Sequence, residues 1–193
     1  MLRALYDWTM RLAAHRHARA ALAAVSFAES SFFPIPPDVM LIPMVLAERA
    51  RAFRIALICT AASVLGGLAG YAIGALLFEA VGRPLLELYG YTDAFADFTA
   101  LYNQWGAWIV AGAAITPFPF KVITIASGVT GLDLAVFTVS ALLARGLRFY
   151  LEAALLWRFG APIQGFIERN LAALTTLFFV LLLGGFVLVR YVL

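Results

Sequence analysis

Residues 20–47 read AALAAVSFAESSFFPIPPDVMLIPMVLA, an apolar stretch cut in two by Pro34, Pro36 and Pro37. Proline lacks the amide donor and its ring meets the preceding turn, so these three cannot sit inside one helix. Each also pushes the residue before it towards an extended conformation. As helices, residues 20–33 would make a leg of about 21 Å and residues 38–47 one of about 15 Å. Both fall short of the roughly 30 Å hydrocarbon core of a bilayer. The reading is a re-entrant hairpin, which enters an apolar layer and leaves on the side it entered.

Composition says why a bilayer is the frame. The 193 residues are 64% hydrophobic and 13% charged, where a soluble domain has about 45–50% apolar and about 25% charged residues. Burying that much apolar surface in water would need a larger core than a chain of this size can enclose. The expected class is an all-α integral membrane protein in one domain over residues 1–193, with no room for a separate soluble catalytic domain. The net charge of +3 is small and scattered, which excludes the basic stripe of a nucleic-acid binder. Cys59 is the one cysteine, so it can form neither an intrachain disulfide nor a zinc or redox motif.

The same broken pattern returns in residues 105–131, around Pro117 and Pro119, with legs of about 17–18 Å. Each broken stretch precedes a longer apolar run: residues 55–78, free of charge and about 36 Å long, and residues 134–157. This is a repeat of architecture rather than of sequence. Proline-interrupted segments at matching places in two halves point to a transporter's binding site. Residues 171–193 are expected to form a C-terminal transmembrane helix outside the repeat, which anchors the chain or pairs copies into a homo-oligomer. Residues 1–19, with Arg3, Arg11, Arg16 and Arg19 among Leu, Tyr and Trp, read as a basic amphipathic helix on the membrane surface. His15 and His17 there read as interfacial, since two histidines are too few for a metal. Residues 79–104 read as a polar amphipathic connection.

Arginine placement orients the chain. Arg49, Arg51 and Arg54 follow the first hairpin, while residues 79–104 carry Arg83 against Glu79, Glu87, Asp93 and Asp97. If both broken stretches re-enter, the N-terminus and the arginine-rich loops share the cytoplasmic side, as the positive-inside rule asks. The two hairpins then dip in from opposite faces and the repeat is inverted. The expected location is a bacterial-type inner (plasma) membrane, multi-pass, with the N-terminus cytoplasmic.

Ionisable residues inside apolar runs are the candidate site. Glu29 lies beside Ser30 and Ser31 in the first leg; at membrane depth it must be protonated or paired, at a cost of at least about 2.5 kcal/mol. It reads as a proton carrier, or as a carboxyl that holds the hairpin through the serines. Asp38 follows the prolines as a natural N-cap of the second leg and would also face the cavity. Arg145, Arg148 and Glu152 share a helix face at spacings of three, four and seven. Two arginines there should point inward, towards Glu29 and Asp38 or an anionic substrate; Arg148 with Glu152 on one face is the structural alternative. Lys121 follows the second break as Asp38 follows the first. Gly66, Gly70 and Gly74 recur every four residues and read as a helix-packing face. Trp105, Trp108 and Trp157 suit interfacial belts.

The chain resembles the DedA family, also called SNARE-associated Golgi or VTT-domain proteins, over about residues 20–160. The resemblance rests on Glu29, on PIPPD at 34–38, GGLAGYAIG at 66–74, TPFPFKVITIASG at 116–128 and ARGLRFY at 144–150. It implies two inverted units of re-entrant hairpin plus helix, and proton-driven transport or movement of phospholipid or polyprenyl phosphate between leaflets. It also implies an essential acidic pair at Glu29 and Asp38, and essential basic residues at Lys121 and Arg145 or Arg148. Many members carry arginine a few residues before the second-hairpin proline, where this chain has Ala114 or Thr116. Lysine replaces the usual arginine at 121, and Pro-Asp stands where Gly-Glu is common.

The expected function is a membrane transporter or lipid translocator with protons, membrane lipids and a phosphate-bearing lipid as its partners. Glu29 and Asp38 would carry protons, while Lys121, Arg145, Arg148 and Glu152 would bind substrate. The alternative is a scaffold or assembly factor whose buried ion pairs serve folding. An enzyme is the weakest class, because no nucleophile has a partnered histidine. No phosphate loop or metal-ligand cluster is present in the sequence either, so no cofactor or metal is expected.

Overall fold

The computed structural model describes residues 17–33, 36–116, 118–160 and 162. The expected surface helix before residue 17, Pro34, Pro117 and the C-terminal helix over residues 171–193 lie outside them. Every regular element among the described residues is helical. The first pair, α1 (Ala18–Ser31) and α2 (Asp38–Ala47), has the lengths that the proline spacing demands. Phe32 leaves the helical region at φ −151°, which stops α1. Pro37, at φ −67°, starts α2 with the one dihedral its ring allows.

A 3₁₀ turn at Arg49–Arg51 leads into α3 (Ala52–Leu77). This helix continues through a π turn at Phe78–Gly82 into α4 (Arg83–Tyr89). Gly90 ends the run in the left-handed region at φ 71°, where a side chain would be strained. Next come α5 (Thr92–Ile115), α6 (Phe120–Val129) and α7 (Leu134–Gly160). Two helical runs, Arg49–Tyr89 and Leu134–Gly160, are long and apolar enough to cross a membrane.

One expected boundary is corrected. The first leg of the second hairpin begins at Thr92, not at residue 105, so α5 has 24 residues and rises about 36 Å rather than 17–18 Å. Length alone therefore does not stop α5 from crossing an apolar layer. The physical reason is that no proline or glycine interrupts residues 92–105. Asp93 and Asp97 sit on the exposed side of the helix, where they do not disturb it.

Hydrogen bonds and close approaches fix the directions. Along α3, Ser26 meets Cys59 and Ser30 meets Ser63, so α1 runs parallel to α3. Further along, Phe120 meets Gly67 and Ile125 meets Gly74, so α6 also runs parallel to α3. Gly146 lies near Thr60 and Gly160 lies against Arg49, so α7 runs antiparallel. Within the second pair, Asn103 donates to the Thr130 carbonyl and Gly106 packs on Leu132, as in a hairpin.

Two apolar clusters follow from this arrangement. One joins Leu22, Leu41, Val45, Ile55 and Phe149, and the other joins Val110, Ala114, Phe120, Phe137 and Ala141. Outward, α7 shows Leu143, Leu147, Leu151 and Leu155, each more than half exposed. A continuous leucine face of this kind calls for an apolar surrounding.

The glycines of α3 let the short helices come close. A Cβ on Gly66 would collide with the Phe27 carbonyl of α1, and one on Gly74 with the Ile125 carbonyl of α6. Gly70 lies between them, against Thr124 and the Ser30 carbonyl. Alanine in place of a mid-helix glycine gains about 0.5–1 kcal/mol of helix propensity, while overpacking costs about 1–3 kcal/mol. Gly66→Ala and Gly74→Ala should therefore lower the thermal unfolding temperature in detergent. Gly112→Ala, with no atom within 4 Å of the new Cβ, should raise it. Equal effects at the three positions would refute this packing.

Candidate functional site

The candidate site forms where α1, α2, α3 and α6 meet the middle of α7. Among the described residues Arg145 is the most enclosed charge, with 1% of its side chain exposed. Its Nε donates to the Ser63 hydroxyl of α3 at 2.6 Å, and Nη2 donates to Glu29 Oε2 of α1 at 2.8 Å. Nη2 also lies 3.4 Å from Ser30 Oγ, which is 2.7 Å from Ser63 Oγ. The Phe120 and Phe149 rings flank the guanidinium, their centroids 4.9 and 4.7 Å from its carbon. Such cation–π contacts help a cation that has lost its water.

The second pair is more open. Arg148 Nη2 donates to both carboxylate oxygens of Asp38, at 2.8 and 2.9 Å, and the two side chains are 27% and 21% exposed. Asp38 is the first helical residue of α2 and its carboxylate makes no capping bond. The N-cap reading is thereby corrected: a stronger donor one helix away takes the carboxylate, which still gains from the positive end of the α2 dipole. Glu152 lies a turn below Arg148 on α7. Of the two partners weighed for Arg148, the structure brings Asp38 into an ion pair with it.

Lys121 stands apart from both pairs. Its Nζ donates to the Phe33 carbonyl at 3.1 Å, just beyond the end of α1. The Thr124 hydroxyl lies 3.0 Å from the Ser30 carbonyl. A helix end leaves its last carbonyls without partners, and α6 supplies donors to two carbonyls at this end of α1. The hairpins therefore close on each other at their breaks.

Ser63, Thr124, Phe120 and Phe149 were not singled out from the sequence. A signal for the first existed: Ser26 and Ser30 on α1 repeat the four-residue spacing of Cys59 and Ser63 on α3, and they pair in that register. The aromatic partners had no such signal, because phenylalanine is common in apolar helices. Among the described residues no three His, Cys, Asp or Glu side chains gather as metal ligands.

Two relatives share this chain's length. An uncharacterized protein of Haemophilus influenzae is 39% identical over 168 residues, covering 85% of this chain and 87% of the relative. A protein of Histophilus somni, described as an uncharacterized HI0703 homologue, is 38% identical over the same shares. The chain belongs to the HI0703 family. No family model matches it, and no solved structure matches it.

For this member of the HI0703 family the two ion pairs should differ in stability. Removing one partner of a buried pair costs about 3–5 kcal/mol, because the other charge is left without compensation. Arg145→Ala should reach that range in denaturant or thermal unfolding. Arg148→Ala, whose partner keeps contact with solvent, should cost less than half as much. The reverse order would contradict the burial described here.

Proposed function

We propose that this chain is a proton-coupled transporter or lipid translocator of the DedA kind, moving a phosphate-bearing lipid between the leaflets of a bacterial-type inner membrane. The observation that carries the reading is the Arg148–Asp38 pair, which is partly open and joins the two units beside the break that precedes α2. A stable ion pair that solvent can reach is a site where an anion can exchange with a carboxylate. A phosphate headgroup matches the guanidinium fork of Arg148 in the same two-point manner as a carboxylate. Lys121, at the neighbouring break, adds a second cation.

The membrane setting draws support from three features. Two helical runs suffice to cross a bilayer, and the outward face of α7 is leucine. Ala18 at the start of α1 packs in the same cluster as Ala52 at the start of α3. That placement supports a first hairpin that enters and leaves at one end. Arg49 and Gly160 meet at that end, which the positive-inside rule makes cytoplasmic.

The scaffold reading has one observation in its favour: Arg145 is held by Glu29, Ser30 and Ser63 with almost no exposure. That arrangement serves folding rather than substrate exchange. Proteoliposomes carrying labelled phospholipid or polyprenyl phosphate, with and without a pH gradient, separate the readings. Headgroup movement should require the protein and fall at least about tenfold in Arg148→Ala, equivalent to about 1.4 kcal/mol. Wild-type rates in well-folded Arg148→Ala and Glu29→Gln proteins, or no movement of either lipid, would leave the scaffold reading.

A further inference from the structure

We infer that the end of the bundle where α3 begins and α7 finishes is a docking site for an anionic phospholipid of the phosphatidylglycerol class, separate from the Arg148–Asp38 pair. The inference rests on the membrane setting proposed above and on no transport step. Its basis is a set of arginines without carboxylate partners, next to half-exposed aromatic rings, at one end of two apolar helices.

Because α3 and α7 run antiparallel, the first turn of one lies beside the last turn of the other. The Arg49 guanidinium rests against the Gly160 backbone. Arg158 precedes Gly160 on α7, and its guanidinium carbon stands 5.2 Å from the centroid of the Phe159 ring. Arg54 adds a third cation in the first turn of α3. Arg51 is paired with Glu48, but no carboxylate among the described residues pairs with Arg49, Arg54 or Arg158. The start of α3 contributes the positive end of its dipole, and no side chain caps it. The set favours an anion, and a phosphodiester meets a guanidinium fork at two points.

The groups that follow the arginines along the helices identify the anion as a lipid. The Phe53 ring lies 6.0 Å from Trp157 and 6.2 Å from Tyr150, joining α3 to α7. Phe53 and Trp157 are 46% and 49% exposed, and Leu57, one turn further along α3, is 55% exposed. From the end inward, the surface passes from guanidinium to aromatic ring to leucine over two turns of helix, about 11 Å. A phospholipid has the same order, from phosphate through glycerol to acyl chain, and aromatic rings favour the middle level. Free phosphate would use the arginines and leave the rings without a partner. Trp157 is about two and a half turns beyond Arg148, on the opposite face of α7. A lipid held here therefore does not compete with Asp38.

Lipid contact at Trp157 can be read by fluorescence. In the full-length chain carrying Trp8→Phe, Trp105→Phe and Trp108→Phe, lipids brominated on the acyl chain quench the one remaining indole. Vesicles of brominated phosphatidylglycerol with plain phosphatidylcholine, and of the reverse labelling, give the relative binding constant of the two lipids there. It should favour phosphatidylglycerol by about threefold or more, since each arginine near a membrane surface attracts anionic lipid on that scale. The preference should fall to about one when Arg49→Gln and Arg158→Gln are combined. It should persist when lysine replaces both arginines, and also in Arg148→Ala. Equal quenching by the two lipids, or a preference unchanged by the glutamine pair, overturns the site and leaves the membrane setting standing. A preference lost with lysine as fully as with glutamine overturns the headgroup contact, because charge is then not its cause. If Arg148→Ala abolishes it, the lipid sits at the Arg148–Asp38 pair and there is no separate site. No quenching by either lipid overturns the site and the membrane setting together.

Discussion

A guanidinium removed from water has to be given everything that water gave it. Arg145 meets that constraint with a carboxylate, two serine hydroxyls and two aromatic faces, contributed by three other helices and by its own neighbour Phe149. Isolated burial of such a charge would cost far more than a domain's whole stability. The position of α7 relative to α1, α3 and α6 is therefore set by one side chain to within hydrogen-bond tolerance. Each partner must also be polar in an otherwise apolar helix, which is why Glu29, Ser30 and Ser63 occur where they do.

That geometry requires backbones closer than ordinary side chains permit. Ser30 and Ser63 come within 2.7 Å only because α1 rests on Gly66, where even a methyl group would overlap the Phe27 carbonyl. The same helix accepts α6 at Gly74, and Gly128 of α6 returns the contact against the Tyr71 carbonyl. Two short helices thus line up along one long helix, α1 on its first half and α6 on its second. Their ends meet, and Lys121 and Thr124 supply donors to carbonyls at the end of α1. The first break is tolerable because the second unit supplies donors to its unsatisfied backbone carbonyls.

The parts of this arrangement legible in the sequence are those governed by local covalent chemistry. Proline has no amide donor whatever the surroundings, so the break around Pro36 and Pro37 and the extents of α1 and α2 could be read directly. The glycine spacing on α3 was equally open to inspection. The start of α5 is not legible in this way, because residues 92–104 are polar enough to resemble a connection although no proline or glycine ends a helix there. Partner choice was beyond reach for a different reason. Arg148 has Glu152 one turn away, and its preference for Asp38 depends on where α2 is docked. Ser63 and Phe120 acquire their roles only when α3 and α6 are brought to Arg145.

The two ion pairs have the same chemistry and opposite exposure, and this difference is what divides their work. Coulomb attraction grows as the effective dielectric falls, so an enclosed pair is held several times more tightly than a partly hydrated one. Arg145 and Glu29, with hydroxyls on either side, have little to gain from separating and much to lose. Arg148 and Asp38 keep about a quarter of their surface in contact with solvent, so water or an anion can replace either partner at modest cost. In the proposed bilayer, a fold built this way would keep its rigid tie and its exchangeable contact on one face of α7, one turn apart. The tie can then hold the two units together while the contact beside it changes partners.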